Sequence, residues 1–318
     1  MKKVFITGGS GTVGSSFIKK YYKEFKFYSF ARNEKMQVAL KRRFPDIEII
    51  LGSIENKSFL IDTIKNINPD IVLHTAALKH VLTAENQPQQ AVEVNIIGSL
   101  NIIEASKIAG VPATIAISTD KACEPHCNYG YTKLLMEKMF LTANTSATKF
   151  SCCRFGNVAG SYGSVIPHWL TTKNEGPLKL TDPAMNRLMF SPEESAELIY
   201  EGIRKMNDKG GFVISKKMKT VNIYKLATLI SDNIEIVGAG PGEKLNETMV
   251  CEGELPYTKV CGDYIFITQE KNKDLNSRLT RHISSSNAPN MSDDEVKDLI
   301  DNVEKDLIAN SLIKKEYL

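Results

Sequence analysis

Residues 118–133 read Ser-Thr-Asp-Lys-Ala-Cys-Glu-Pro-His-Cys-Asn-Tyr-Gly-Tyr-Thr-Lys. They follow an apolar run, Thr114-Ile115-Ala116-Ile117, and lead into a helical pattern from Leu134 to Leu141. Residues 118–121 are therefore expected where a strand ends, and Tyr129 and Lys133 one turn apart on one helix face. A Tyr four residues before a Lys can move a proton, because the ammonium stabilises the phenolate. A lone phenol titrates near ~10, too high for a base at neutral pH. Asp120 and Lys121 add an acid and a second possible base. An Asp120–Lys121 salt bridge at a strand end is the structural alternative.

A second chemical signature stands at the start of the chain. Lys3-Val4-Phe5-Ile6-Thr7 reads as a strand, Gly8-Gly9-Ser10-Gly11-Thr12-Val13-Gly14 as a turn, and Phe17, Ile18 and Tyr21 continue as a helix. Gly8, Gly11 and Gly14 are three apart, which suits a tight turn and close approach to a dinucleotide pyrophosphate at a helix N-terminus. Ser10, Thr12 and Val13 belong to the same turn. A second strand ends at Ala31-Arg32-Asn33-Glu34-Lys35. No acid stands at the strand end itself to hold a ribose 2′-hydroxyl, and Arg32 and Lys35 are placed to meet a 2′-phosphate. NADP is therefore expected over NAD, with a solvated basic turn as the alternative.

These groups need a frame. Strands are expected at 3–7, 26–31, 47–51, 71–75, 113–118 and 149–154, with helices at 12–24, 57–67, 88–109 and 129–144. Strand–helix alternation means a doubly wound parallel α/β sheet, a Rossmann fold, with ligands beyond the C-terminal strand ends. After residue 155 the pattern loosens into a glycine-rich loop, 156–164, and turns at Gly176-Pro177 and Asp182-Pro183. Helices are expected at 192–206, 221–231 and 293–312, a strand at 210–214 and a turn at 238–243. Residues 284–290, Ser-Ser-Ser-Asn-Ala-Pro-Asn, read as a mobile linker. The expected organisation is a dinucleotide-binding domain over 1–160, with 190–216 returning to it. A smaller substrate lobe takes 161–189 and 217–290, and a C-terminal helical segment takes 291–318. The apolar positions Val296, Leu299, Ile300, Val303, Leu307 and Ile308 form one helix face, for the chain's own core or for a partner.

Bulk properties narrow the class. A chain of 318 residues can bury a large core. Forty basic against 37 acidic residues give no argument for nucleic acid. No run of eighteen apolar residues occurs, so no membrane span is expected. Met1-Lys2-Lys3 resembles a signal-peptide start, but the next stretch carries the glycine motif, so a cytoplasmic location is expected. Six cysteines, at 123, 127, 152, 153, 251 and 261, fit a reducing compartment. The spacing of Cys123, His126 and Cys127 is poor for zinc, and no metal is expected. Cys152 and Cys153 read as small apolar strand residues.

Taken together, these residues resemble the extended short-chain dehydrogenase/reductases, and among them the 5-inverting UDP-N-acetylglucosamine 4,6-dehydratases of pseudaminic-acid and capsule biosynthesis. The resemblance runs from residue 3 to about 250. It rests on His74-Thr75-Ala76-Ala77-Leu78-Lys79-His80-Val81, Ser118-Thr119-Asp120-Lys121-Ala122, Arg154-Phe155-Gly156-Asn157-Val158, Gly163-Ser164-Val165-Ile166-Pro167, Thr181-Asp182-Pro183 with Arg187, and Pro241-Gly242-Glu243-Lys244-Leu245. Asp-Lys after Ser-Thr separates this group from retaining dehydratases, which resemble Asp-Glu there, and from epimerases, which usually lack both.

The resemblance implies catalytic roles for Thr119, Asp120, Lys121, Tyr129 and Lys133. It implies NADP contacts from Gly8, Gly11, Gly14, Arg32, Ser53 and Ile54. Ala76, Ala77 and Lys79 would line the nicotinamide and sugar side, and Asn95 would brace the active-site helix. Asn157, Ser164, Val165, Thr181, Arg187 and Glu243 would hold the nucleotide-sugar, with Lys79 and Thr119 on its sugar end. A homo-oligomer, often a hexamer, is implied as well. Two positions depart from the pattern. Gly240 stands where the family often carries a pyrophosphate-binding Arg, and Ser53 where an Asp usually meets the adenine. The implied reaction oxidises C4, eliminates water across C5 and C6, and returns hydride to C6. It requires a neutral Lys121, expected from burial beside Lys133, and a protonated Asp120. A nucleotide-sugar epimerase or reductase is the alternative on this scaffold.

Overall fold

The computed structural model describes residues 1–206 and 209–309. Its first half alternates strand and helix: β1 (Lys2–Thr7), α1 (Thr12–Tyr21), β2 (Phe25–Ala31), α2 (Glu34–Arg43), β3 (Glu48–Leu51), α3 (Lys57–Ile67) and β4 (Ile71–His74). Then come α4 (Val81–Asn86), α5 (Pro88–Val92), a π-helical turn (Glu93–Ile97), α6 (Gly98–Ala109), β5 (Ala113–Thr119), a 3-10 turn (Asp120–Ala122), α7 (Asn128–Thr142) and β6 (Lys149–Phe155). The strands lie in the order β3-β2-β1-β4-β5-β6, all parallel. This is the doubly wound arrangement, whose strand order reverses beside β1 and leaves a crevice at the C-terminal strand ends.

The expected helix over 88–109 is broken. The π-helical turn inserts a residue into the ladder and turns Asn95 inward, where it is buried. Gly110 then closes α6 in the left-handed conformation, with φ of +66°.

The second half is built of β7 (Asn157–Val158), α8 (Val165–Thr172), β8 (Leu178–Leu180), β9 (Asn186–Phe190), α9 (Pro192–Met206), β10 (Phe212–Lys216), β11 (Lys219–Asn222) and α10 (Ile223–Thr228). It ends with β12 (Ile234–Ile236), β13 (Thr248–Val250), β14 (Thr258–Cys261), β15 (Tyr264–Thr268), β16 (Ile283–Ser284) and α11 (Asp293–Ala309). β10 joins β6 in parallel, and β15 and β14 follow antiparallel, giving a nine-stranded sheet. Residues 258–268, expected in the substrate lobe, thus lie at the edge of the main sheet.

Helix α10 is shorter than the expected 221–231. Val221 and Asn222 pair with Arg187 and Asn186 in β11, and the Asn222 side chain caps the helix by accepting from the Lys225 N–H at 3.0 Å. The stretch 284–290 is not a loose linker. Ser284 and Ser285 are buried, Ser285 N–H donates to the Glu247 carbonyl at 2.9 Å, and Ala288 N–H donates to Ser284. Serine hydroxyls that read as solvated loop instead satisfy backbone groups inside the lobe.

Two cores result. The larger lies on both faces of the sheet. The smaller gathers Ile166, Trp169, Leu170, Leu180, Met185 and Leu226 under Val296, Leu299, Ile300, Val303 and Leu307 of α11. The apolar face of α11 is therefore used within the chain. Residues 310–312 of the expected helix, and 310–318 of the expected C-terminal segment, lie outside the described residues. Among the described residues no helix is long and apolar enough to cross a membrane.

Candidate active site

The glycine turn joins β1 to α1. Gly8 has φ of +70°, its N–H donates to the Phe30 carbonyl at 2.8 Å, and its own carbonyl accepts from Gly11 at 2.9 Å. A Cβ on Gly14 would stand 2.6 Å from the Gly9 Cα, so the helix approaches the turn as only glycine permits. Gly11 caps α1 with no side-chain acceptor, which leaves the first helical N–H groups for an anion. Thr12 Oγ1 accepts from Tyr162 N–H at 3.0 Å and ties the turn to the 156–164 loop. Ser10 and Val13 lie on the same turn, and Ile54, buried, lies under Gly98. These residues form a cradle that fits a dinucleotide pyrophosphate.

At the end of β2, Arg32 is two-thirds exposed and 3.7 Å from Glu55 Oε1. Ser53 donates a short hydrogen bond to the same carboxylate, and Gln90 Nε2 donates to it at 3.3 Å. The acid invisible at the strand end is thus supplied from beyond β3. Lys35 is exposed on the first turn of α2.

Between β4 and α4, the loop carrying Ala76, Ala77 and Lys79 is fixed from three sides. His74 bridges Thr7 Oγ1 at 2.8 Å and Ser99 Oγ at 3.1 Å, and burial, aided by the Lys133 charge, holds it neutral by lowering its pKa to about 3. Ala76 N–H donates to Thr7 Oγ1 at 3.3 Å. Asn95 accepts from Leu78 N–H at 2.8 Å, and its amide donates to the Leu78 carbonyl and to Thr132 Oγ1, each at 3.0 Å, linking this loop to α7. Lys79 Nζ donates to Ser161 Oγ at 2.6 Å and to the Tyr162 carbonyl at 2.7 Å.

The proton carriers meet where β5 ends against α7. A Cβ on Gly130 would collide with the Lys121 carbonyl, so this glycine lets the helix sit directly on the Asp120–Ala122 turn. Thr119 Oγ1 donates to Asp120 Oδ1 at 2.9 Å, and Lys121 Nζ lies 3.3 Å from the same oxygen. Burial pushes the Tyr129 phenol up to about 12, against the opposing pull of the Lys121 charge and the Thr119 hydroxyl. Burial lowers Lys133 to about 8, and its Nζ rests 3.1 Å from Met136 Sδ. The Lys121 charge thus favours the Tyr129 phenolate.

One residue of this cluster was not read from the sequence. Glu247 is buried, and its Oε1 lies 3.3 Å from Lys121 Nζ. Burial opposes charge on Lys121, but the Asp120 and Glu247 carboxylates outweigh it and raise the lysine above its ordinary range. The expected neutral Lys121 is therefore corrected: in this state it is an ammonium between two carboxylates. Ser118 Oγ and Asp120 Oδ2 are buried with no hydrogen-bond partner, a polar face that a ligand hydroxyl would satisfy.

The residues expected on the substrate side lie in the second lobe and its turns. Arg187 is buried, donates to the Asn186 and Leu245 carbonyls at 2.9 and 3.1 Å, and its charge reaches Lys121. Asn157 Nδ2 donates to the Leu188 carbonyl at 3.2 Å. Ser164 Oγ is buried and unpartnered at the start of α8, beside Val165. Thr181 Oγ1 contacts Met185 Sδ at 3.6 Å, so it faces its own lobe. Glu243 is exposed and accepts from Gly240 N–H at 2.9 Å, which closes the turn. Lys244 Nζ donates to the Glu124 carbonyl at 2.8 Å, docking that turn beside the proton carriers.

Residues 4–269 match the family model described as polysaccharide biosynthesis protein. The chain belongs to this polysaccharide biosynthesis protein family. It is 35% identical to the UDP-N-acetylglucosamine 4,6-dehydratase (inverting) of Campylobacter jejuni, over 84% of this chain and 83% of that protein. It is 30% identical to the UDP-glucose 4-epimerase of Rickettsia bellii, over 95% of this chain and 96% of that one. The solved structure of Pen from Bacillus thuringiensis superposes with a TM-score of 0.88 at 31% identity, covering 95% of this chain and 97% of that one.

This polysaccharide biosynthesis protein holds α7 by a second buried network. Arg154 on β6 donates to both Glu137 oxygens at 3.0 and 2.7 Å, to both Glu254 oxygens at 2.8 and 2.9 Å, and to the Met249 carbonyl at 2.9 Å. It joins β6, α7 and the segment after β13. Replacing Arg154 by Met should leave buried carboxylates uncompensated and cost about 3–5 kcal/mol. Urea unfolding checks this, and a loss below about 1 kcal/mol would mean that the network contributes little.

Proposed function

We propose that this chain is a nucleotide-sugar 4,6-dehydratase acting on UDP-N-acetylglucosamine with inversion at C5. The observation that carries the reading is the buried Asp120–Lys121 pair at the end of β5, against Tyr129 and opposite Glu247. Reduction or epimerisation at C4 alone needs a Tyr–Lys pair and no second acid–base pair. The 35% identical inverting dehydratase supports the substrate, and the epimerases among the relatives keep C4 epimerisation as the rival.

A bound nicotinamide would accept hydride from C4 and return it to C6. Tyr129 takes the C4 hydroxyl proton as its own phenolic proton passes to the Asp120 carboxylate, and Thr119 donates a hydrogen bond to the oxygen that develops charge. Oxidation at C4 acidifies the C5 proton. Lys121 passes its extra proton to Glu247, which frees the amine to remove the C5 proton. Asp120 gives the proton received from Tyr129 to the departing C6 hydroxyl, and the proton held on Glu247 adds to C5 from the opposite face, which returns every group to its starting charge. Gly8, Ser10, Gly11, Thr12, Val13 and Gly14 hold the cofactor pyrophosphate, and Ala76, Ala77 and Lys133 hold the nicotinamide end. Arg187, Asn157, Ser164 and Val165 face the nucleotide-sugar from the smaller lobe, with Lys79 and Glu243 at its rim.

Arg32 and Lys35 favour NADP over NAD. Arg32→Ala should weaken NADP by about 1.5–3 kcal/mol, tenfold or more, and NAD far less. Titration of both cofactors into the purified protein checks this, and equal weakening would remove the preference, consistent with Glu55 holding a ribose hydroxyl instead.

The proposed setting is the cytoplasm, upstream of a surface glycan, as a homo-oligomer that assembles through faces other than the apolar side of α11. Light scattering at micromolar concentration should return a multiple of the chain mass, and a monomer would refute the assembly. The reaction itself is tested by incubating protein, cofactor and UDP-N-acetylglucosamine together. Product should lack one water while the reduced-nicotinamide absorbance stays flat.

A further inference from the structure

Cys123 lies two residues beyond Lys121, and Cys251 four residues beyond Glu247. The two thiols flank the lysine–carboxylate cluster on both of the segments that build it, and none of the proposed chemistry uses them. Their sulfurs and a Glu254 carboxylate oxygen all lie within 4.8 Å of one another. Cys123 is buried and donates to Glu254 Oε2 at 3.4 Å, whereas Cys251 is half-buried and open to a small reagent. Cys251 starts the 3-10 turn Glu252–Tyr257, where its sulfur accepts from the Glu254 N–H.

The two thiols are unequal. The hydrogen bond from Cys123 lowers Cys251 to about 7, against the effect of burial. The same contact, with burial, pushes Cys123 up. Cys251 is therefore the nucleophile at neutral pH and Cys123 the partner that must be deprotonated before it reacts. A divalent cation is the other ligand such a cluster could take. Both Glu254 oxygens already accept from Arg154 at 2.8 and 2.9 Å, and this guanidinium repels a cation.

We propose that Cys123 and Cys251 form a reversible dithiol site that closes to a disulfide with low-molecular-weight disulfides of the glutathione class. The Cys251 thiolate attacks one sulfur of glutathione disulfide, forming a mixed disulfide and releasing one glutathione thiolate. The glutathione thiolate released in the first step takes the Cys123 proton, and the Cys123 sulfur attacks Cys251 Sγ and expels the second glutathione. Two protein thiols are oxidised and one glutathione disulfide is reduced to two glutathiones. The sulfurs must close from within 4.8 Å to about 2.05 Å. The bridge ties the turn carrying Lys121 to the segment carrying Glu247, so the oxidation state is felt at the lysine–carboxylate cluster. The site does not depend on which sugar the enzyme takes.

The test uses the full chain, freed of reductant and held at neutral pH in glutathione buffers of increasing oxidised fraction. Intact mass and peptide mapping read the result. The parent should lose two hydrogens, with the bridge mapped to Cys123 and Cys251 and reversed by dithiothreitol. Cys123→Ser should stop with one glutathione on Cys251, and Cys251→Ser should show neither product. Mapping of the parent alone decides the case should a serine variant misfold. The proposal is overturned by a parent that keeps both thiols, by glutathione that persists on its Cys251, or by a bridge to another cysteine. Protection of both thiols by stoichiometric zinc(II) would also overturn it, because the cluster would then be a cation site.

Discussion

Lys121→Met should abolish water loss while leaving the first oxidation intact. With the amine gone, the base proposed for the C5 proton is missing, and product formation should fall by about 10²–10⁴-fold, the usual contribution of a positioned acid or base. Tyr129, Lys133 and Thr119 remain, so C4 can still be oxidised. Enzyme, cofactor and UDP-N-acetylglucosamine mixed at stoichiometric concentration should therefore accumulate reduced nicotinamide with a 4-keto sugar. The substitution also removes the ammonium that Asp120 and Glu247 share, each 3.3 Å from it, so a thermal melt should accompany the assay. A variant that is folded and still loses water at near-parental rate would make Lys121 a structural cation, and Tyr129 would become the C5 base.

Tyr129→Phe should stop the reaction one step earlier. The phenol is the group proposed to take the C4 hydroxyl proton, and burial pushes it up to about 12 at rest. Without it the C4 hydroxyl keeps its proton. Turnover should fall by about 10²–10⁴-fold, and no reduced nicotinamide should appear even at stoichiometric enzyme. The contrast between the two variants, with cofactor reduced in one and untouched in the other, separates the roles. Reduced cofactor in Tyr129→Phe at the parental rate would show that another group takes the C4 proton.

Much of this site is legible in the sequence because local rules determine it. Gly8 and Gly14 are required by a turn that a side chain would clash with, and the spacing of Gly8, Gly11 and Gly14 survives in a linear string. Tyr129 and Lys133 share a helix face by period alone. What stayed hidden depends on distant contacts. Glu247 sits in a polar stretch, 126 residues beyond Lys121, and nothing near it announces burial. Arg154 looks like one residue of a motif until Glu137 and Glu254 are seen around it. Residues 284–290 have a linker's composition, yet the Ser285 hydroxyl accepts from the Glu247 N–H and the Ser285 carbonyl accepts from the Thr220 hydroxyl. The break at Glu93–Ile97 carries no proline or glycine that would mark it; the side-chain demands of Asn95 on Leu78 and Thr132 accompany it. Strands β14 and β15 are short and follow a long irregular segment, so the alternation that revealed β1 to β6 is absent there.

The central claim is that Asp120, Lys121 and Tyr129 act in one cycle that removes water from C5 and C6 and inverts C5. The most direct measurement follows UDP-N-acetylglucosamine turnover in D₂O by mass spectrometry and proton NMR, with nicotinamide absorbance recorded in the same sample. The account predicts a 4-keto-6-deoxy product that has lost one water, carries solvent deuterium at C5 with inverted configuration, and forms with no net reduction of the cofactor. A product of unchanged mass epimerised at C4, or reduced nicotinamide rising in step with an oxidised sugar, would contradict it.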